Sequence, residues 1–280
     1  MRRPALAGVL LALGAGGGSV AAEAGIDADI TPGRYSFEAG AEVFSWREYE
    51  DSGRRLLSEN GPRFRLSAAY GNFLTAPAGL LFDVGVTGQT GDVDYDGQDN
   101  SGRSVATTTR YRGYGVKAQA GYRRPFARAG LAIDVFGALE LTGWRREIHS
   151  GVNAIGQSVG GFIEDYTVVS GRLGFGLTHP AGHVPARLAV GLKVPLDIDE
   201  DVVVSGRRVA LEPGRRVSAF ASWQLSLAPA TDGTPFGTYL HLYWNAHRFD
   251  RSPARATGDL SVWQPESHMD EIGLALGVKY

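Results

Sequence analysis

The 280-residue chain contains no cysteine, which excludes disulfide-stapled scaffolds, thiolate zinc sites and cysteine nucleophiles. Past residue 22 it has no run of 18 apolar residues, so no transmembrane helix is expected there. It also lacks a charge excess: 28 Lys+Arg stand against 30 Asp+Glu, and no basic stretch is long enough to follow a phosphate backbone. A nucleic-acid partner is therefore not expected. What the chain does have is glycine, 39 residues of it, too many for a helical protein. Its Tyr, Trp, Phe and Val content is too high for a disordered one. One all-β domain fits.

The first 22 residues read as an export signal. Met1-Arg2-Arg3 forms a positive start, Ala5 to Leu13 an apolar stretch, and Val20-Ala21-Ala22 a small-residue cleavage site. Residues 23–33 then form a short periplasmic segment, and the barrel described next occupies 34–280.

From Tyr35 onward every second residue is apolar or aromatic over segments of about 10 to 17 residues, the pattern of strands with one greasy face. The last segment shows it best: Ile272, Leu274, Leu276, Val278 and Tyr280 alternate with Glu271, Gly273, Ala275, Gly277 and Lys279. Ten such segments occur. Short links at about 74–79, 123–129, 178–186 and 228–237 alternate with long polar links at about 50–61, 92–108, 147–162, 198–214 and 250–267. A sandwich gives no reason for all long links to share one end, whereas a transmembrane barrel does. Tyr35, Tyr70, Phe82, Tyr122 and Tyr280 fall on the apolar face near the short links and predict an interfacial girdle.

The opposite face is charged and rich in glycine. Glu38, Glu42, Arg63, Arg65, Asp83, Lys117, Asp134, Glu140, Arg172, Lys193, Arg216 and Glu271, with Asp197, Arg187 and Lys279, predict a lumen in which acids and bases pair. Inward glycines leave room for those long side chains and let the strands bend.

With its export signal, ten amphipathic strands and final aromatic residue, the chain resembles the outer-membrane β-barrel proteins of Gram-negative bacteria. The resemblance covers all of 34–280 as a pattern. It implies an outer-membrane location among lipid, and recognition of the terminal strand by the barrel assembly machinery, with Tyr280 where that family usually has Phe. In size the chain is similar to the ten-stranded omptin proteases. Those carry an aspartate pair in the second outer loop, where Asp92 and Asp94 stand here, and an Asp-x-His dyad in the fourth. Here the fourth offers Asp199, Glu200 and Asp201 without a histidine, so the protease lacks its proton acceptor. His149-Ser150 and Ser267-His268 are neighbours in sequence, and neighbours on a strand point to opposite faces.

Two local features carry possible chemistry. Asp92, Asp94, Asp96 and Gly97 reproduce the first half of a calcium loop, but Arg103 stands where a bidentate Glu would close it. That predicts at most a weak calcium site and no other cofactor. Tyr239, His241, Tyr243, Asn245 and His247 form an inward ladder on the ninth strand, suited to proton transfer, to a ligand site or to hydrogen-bonded filling. Trp46 and Trp144 fall inward near the outer rim and are expected to cap the lumen.

The sequence thus predicts an all-β protein, a ten-stranded antiparallel up-and-down transmembrane β-barrel in the bacterial outer membrane. Its charged lumen is expected to be largely occluded, and its role structural or surface-interacting through five outer loops. A narrow, porin-like pore for small solutes or ions is the second reading and an outer-membrane hydrolase the third. Without a nucleophile and base in contact, an enzyme is not the expectation.

Overall fold

A computed structural model describes residues 33–280 apart from 74, 100, 127–129, 180–184, 205, 229–235 and 259. The export signal and most of the 23–33 segment lie outside the described residues, as do much of the short links at 178–186 and 228–237.

Ten long strands follow one another: β1 Arg34–Tyr49, β2 Arg55–Gly71, β3 Gly79–Gln98, β4 Ser104–Phe126, β5 Leu131–Ile148, β6 Phe162–His179, β7 Ala186–Val204, β8 in two pieces, Gly214–Arg216 and Ser218–Ala228, β9 Gly237–Asp250 and β10 Glu266–Lys279. Each pairs antiparallel with its sequence neighbours, and β1 pairs with β10, so the sheet closes into an up-and-down barrel without an edge. The terminal β10 is a full wall strand, in register with β1 from Ser36↔Lys279 to Tyr49↔Glu266.

The predicted faces hold. Val43, Leu173 and Leu192 on the outer wall are 66%, 69% and 55% exposed, as are their alternating neighbours to similar degrees. This apolar belt covers roughly Tyr35–Val43 of β1, Phe82–Val86 of β3, Tyr114–Tyr122 of β4, Ile133–Leu141 of β5 and Ile272–Tyr280 of β10. About nine to eleven tilted residues suffice to cross a bilayer. At its lower border Tyr35, Tyr70 and Phe82 stack in sequence, with ring centroids 4.9 and 5.8 Å apart.

Beyond the belt the strands do not stop. β3 and β4 run for 20 and 23 residues and stay paired up to Gln98↔Ser104. Their outer face there is polar, carrying exposed Arg47, Asn60, Asp92, Arg112, Arg145 and Asp199 around the barrel. The long links expected at 50–61, 92–108 and 198–214 are therefore largely strand, and the barrel projects past the hydrocarbon layer. Short hairpins finish this end, at Gly151–Asn153 with Ser158–Val159 and at Arg255–Thr257 with Leu260–Val262, while Arg207–Leu211 folds back on β7.

Two irregularities reset the alternation. On β7 a register shift opposite Val169/Ser170 leaves both Leu196 and Asp197 exposed, after which Ile198, Glu200 and Val202 turn inward. On β8 the break at Val217 turns Arg216 outward, where it pairs with Glu266 and Asp250. Arg216 and Asp197 are thus outside the lumen, contrary to the period-two expectation. A one-residue slip moves every following side chain to the other face.

Candidate functional site in the barrel interior

The remaining predicted lumen residues all face inward, and they sort into three levels.

At the end of the short links, the β2–β3 connection folds back into the barrel. Asn72 fixes it by accepting from the Phe82 amide at 2.8 Å and donating to the Leu80 carbonyl at 3.0 Å. Phe73 and Ala76 are thereby buried against Leu81, Phe136, Ala189 and Phe220. Arg123 donates to the Ala76 and Phe73 carbonyls, and both Arg123 and Arg187 reach Asp134, at 2.6 and 2.7 Å.

The middle level holds the charged network. Arg63 donates from Nε to Glu42 at 2.7 Å and also bonds Glu271, while its guanidinium lies 3.9 Å from the Phe44 ring centre. Glu140 accepts from Arg172 at 3.0 Å and Lys193 at 3.2 Å, and Lys193 lies 3.1 Å from His247 Nε2. Lys117 pairs with Asp83 at 3.2 Å. The histidine and tyrosine ladder of β9 joins this network. Tyr239 donates to Glu38 at 3.0 Å, His241 Nδ1 lies 3.1 Å from Glu38, and Tyr243 donates to Glu42 at 2.8 Å. Asn245 completes the row, lining the same space. The glycines opposite are required: a Cβ on Gly273 or Gly277 would come within 2.2 or 2.3 Å of the Tyr243 or Tyr239 ring. The network does not fill the interior. It surrounds a cavity of about 200 Å³, and Arg65, Lys117, Glu140 and Arg172 keep part of their surface accessible.

The third level lies above the belt, inside the projecting part of the barrel. Rings from four strands meet across the lumen: Trp144 of β5 stacks on Tyr166 of β6 at 4.8 Å, and Trp46 of β1 contacts Tyr166 at 5.5 Å and Phe249 of β9 at 6.0 Å. Trp46 and Phe249 have no exposed surface. Within this buried layer Arg146 bonds three carboxylates, at 2.9 Å to Glu48, 2.9 Å to Glu59 and 2.6 Å to Glu164. Tyr111 and Thr109 also donate to Glu59. Glu200 enters the same region after the β7 register shift. Burial first, then the Glu48 and Glu59 carboxylates, push the Glu164 carboxyl above the usual range in spite of Arg146. Glu200 is pushed up by burial and then by Glu164 and Glu48. Burial among neighbouring carboxylates thus favours the protonated form of Glu164 and Glu200.

Other predicted features stay apart. Asp92, Asp94 and Asp96 stand in a row on the exposed face of β3 rather than in a loop, and Asp92 pairs with Arg110 at 2.9 Å. Among the described residues no three His, Asp or Glu side chains are placed to hold a metal ion. Ser267 is buried on Gln264 and the Pro265 carbonyl, while His268 lies 3.0 Å from Glu266 on the outside. His149 lies 3.0 Å from Thr108, and Ser150 accepts the Gly161 amide. Neither serine meets its neighbouring histidine.

Sequence reasoning missed Arg146, Glu48, Glu59, Glu164 and Arg123. The signal was there. Continuing the inward parity of Glu42 past Phe44 and Trp46 reaches Glu48, and that of Glu140 past Thr142 and Trp144 reaches Arg146.

No family model matches the chain, and no curated protein is similar to it in sequence. Among solved structures, the outer membrane protease OmpT of Escherichia coli superposes with a TM-score of 0.55 at 10% identity, over 90% of this chain and 97% of that one. The fold is that of an outer-membrane β-barrel. The β-domain of the Bordetella autotransporter BrkA (TM-score 0.47, 12% identity, 89% and 99% covered) and Neisserial surface protein A (0.30, 12%, 88% and 97%) are also similar. At such identities the likeness concerns architecture, and a fold of this kind hosts unrelated activities.

Proposed function

We propose that the protein is a non-conducting barrel of the bacterial outer membrane that acts as a structural or surface-interaction element through its projecting end. Export by residues 1–22 and insertion through recognition of β10 by the barrel assembly machinery complete this reading. The observation that carries it is the layer of Trp46, Trp144, Tyr166 and Phe249 around Arg146, in which side chains of opposite walls touch and none is more than 3% exposed. An aqueous path needs polar groups that water can reach. In this layer every nearby carboxylate is already engaged or buried.

The long-link end faces outward from the cell, because outer-membrane barrels place their short turns in the periplasm. Proteoliposomes carrying the refolded protein should swell in isosmotic arabinose no faster than protein-free vesicles. Swelling that depends on solute size would replace this reading with a narrow pore. Epitope tags at Gly53, Gly102 and Gly156, all in turns at the projecting end, should be reached by antibody on intact cells.

A further inference from the structure

Below the ring layer the interior leaves open volume, and the charges of its described residues do not balance. The 200 Å³ cavity adjoins a second of about 250 Å³ beside Phe73 and Pro185, at the short-link end, and the two share Arg34, Arg187, Gln224 and Lys279 among their walls. A few tens of Å³ already hold several waters, so this volume admits a small organic molecule with its hydration. The interior ion pairs account for most of the charge. Lys117 and Asp83 cancel, and so, between them, do the Arg63 group with its two glutamates and the Glu140 group with its two cations. What is left over is positive. Arg34, Arg65 and Lys279 form no ion pair with a described residue, and Arg123 and Arg187 share one aspartate. Among the described residues only Glu38 is left to offset these four surplus charges, and it is already bonded to Tyr239 and His241, while Glu42 and Glu271, which Arg65 also feels, are committed to Arg63.

Arg65 is held ready. Its guanidinium lies 4.5 Å from the Tyr243 ring centre and donates from Nε to Ser67 at 3.3 Å and from Nη2 to Thr87 at 3.4 Å. Both bonds are long, and Nη1 bonds no described residue. A guanidinium fixed on a ring, with donors facing an open cavity, has the geometry that binds carboxylate or phosphate oxygens in pairs.

We propose that this vestibule is a binding site for a small oxyanion, a carboxylate or phosphate ester that enters from the short-link end and is held by Arg65 with Arg34 and Lys279 at the mouth. The site does not depend on whether the dry layer conducts. A sealed outer end makes it a blind pocket, and a leaky one would make it a selectivity site.

The absence of native cysteine allows a direct test. Ser222 and Gln224 line the cavity from β8, and each can be replaced by cysteine in turn, so that a folding failure of one leaves the other. The refolded Ser222→Cys or Gln224→Cys protein is reacted with an anionic sulfonatoethyl and a cationic trimethylammonioethyl methanethiosulfonate. Each rate is divided by that of the same reagent with free 2-mercaptoethanol. The anionic reagent should be favoured by about tenfold, as expected for a charged cleft that concentrates counter-ions. Arg65→Ala should remove most of that preference, and Arg145→Ala, on the outer surface, none of it. Millimolar succinate or inorganic phosphate should slow the labelling, and the stronger of the two identifies the anion class. Equal normalised rates, a cationic preference, no reaction with either reagent, or labelling that neither anion slows would each overturn the proposal.

Discussion

Replacing Arg146 with Met removes the one cation among four interior glutamates while keeping most of the side-chain volume. Arg146 has no exposed surface and donates to Glu48, Glu59 and Glu164 at 2.6–3.1 Å. Its guanidinium also lies 5.2 Å from the Trp46 ring centre. Removing one member of a buried ion pair costs about 3–5 kcal/mol, because the partner is left charged and dry. Here three partners are stranded, and Glu164, already raised, can escape the penalty by taking up a proton, so the cost must depend on pH. For Glu164 and Glu200 the folded-state pKa already lies above the ordinary glutamate value of 4.5. The folded protein then binds protons that the unfolded chain releases. Their contribution is fully present below pH 4.5 and is lost as pH rises toward the raised folded value. Without Arg146 these two groups lose the cation that opposes their rise, and the loss with rising pH steepens. Guanidinium unfolding in detergent, followed by tryptophan fluorescence, should show Arg146→Met destabilised by about 3–5 kcal/mol at pH 8 and by clearly less at pH 5. Adding Glu164→Gln to Arg146→Met should recover part of the loss, with a coupling of about 0.5–3 kcal/mol. A loss under about 1 kcal/mol at pH 8, or equal losses at the two pH values, would mean that Arg146 does not balance these carboxylates.

Three other outcomes follow from the walls. Leu192→Arg, in the middle of the apolar belt on β7, should cost about 2–4 kcal/mol in lipid-reconstituted unfolding, whereas Thr90→Arg, on the outer face beyond the belt, should be near neutral; equal effects would misplace the belt. Gly273→Val should destabilise the fold by displacing the Tyr243 ring, and Tyr243→Ala should largely relieve it, which thermal melts of the single and double variants will show. Calcium titration calorimetry should give no heat at millimolar concentration that Asp92→Ala with Asp94→Ala abolishes, since the extended strand spreads Asp92 to Asp96 over about 13 Å and Asp92 is already paired with Arg110.

The barrel was legible because lipid imposes strict alternation: Ile272 to Tyr280 and their counterparts on the other strands are apolar at every second position with little exception. Above the belt that constraint ends. Asp92, Asp94 and Asp96 occupy an outer face that water tolerates, so hydropathy reads β3 there as a loop although its backbone stays paired. Only the β-branched run Val105, Thr107, Thr108 and Thr109 of β4 hinted at strand. Arg216 and Asp197 were misplaced for a different reason, because a bulge changes parity without a fixed sequence signature. The inward charges were visible individually, but their partners were not. Which carboxylate Arg63 or Arg146 reaches depends on strand stagger around the closed wall, and no local spacing encodes that. The cavity left beside Arg65 was invisible for the same reason, since it is the remainder after those pairings are made.

If side chains close the outer half of the lumen, as proposed, single-channel recording of the refolded protein in a planar bilayer will show it. In 1 M KCl the wild-type protein should give no steady conductance, and Trp46→Ala with Trp144→Ala should introduce one by opening the ring layer around Arg146. A large, steady current through the wild-type protein would mean that the ring layer does not seal the lumen and would make the barrel a pore.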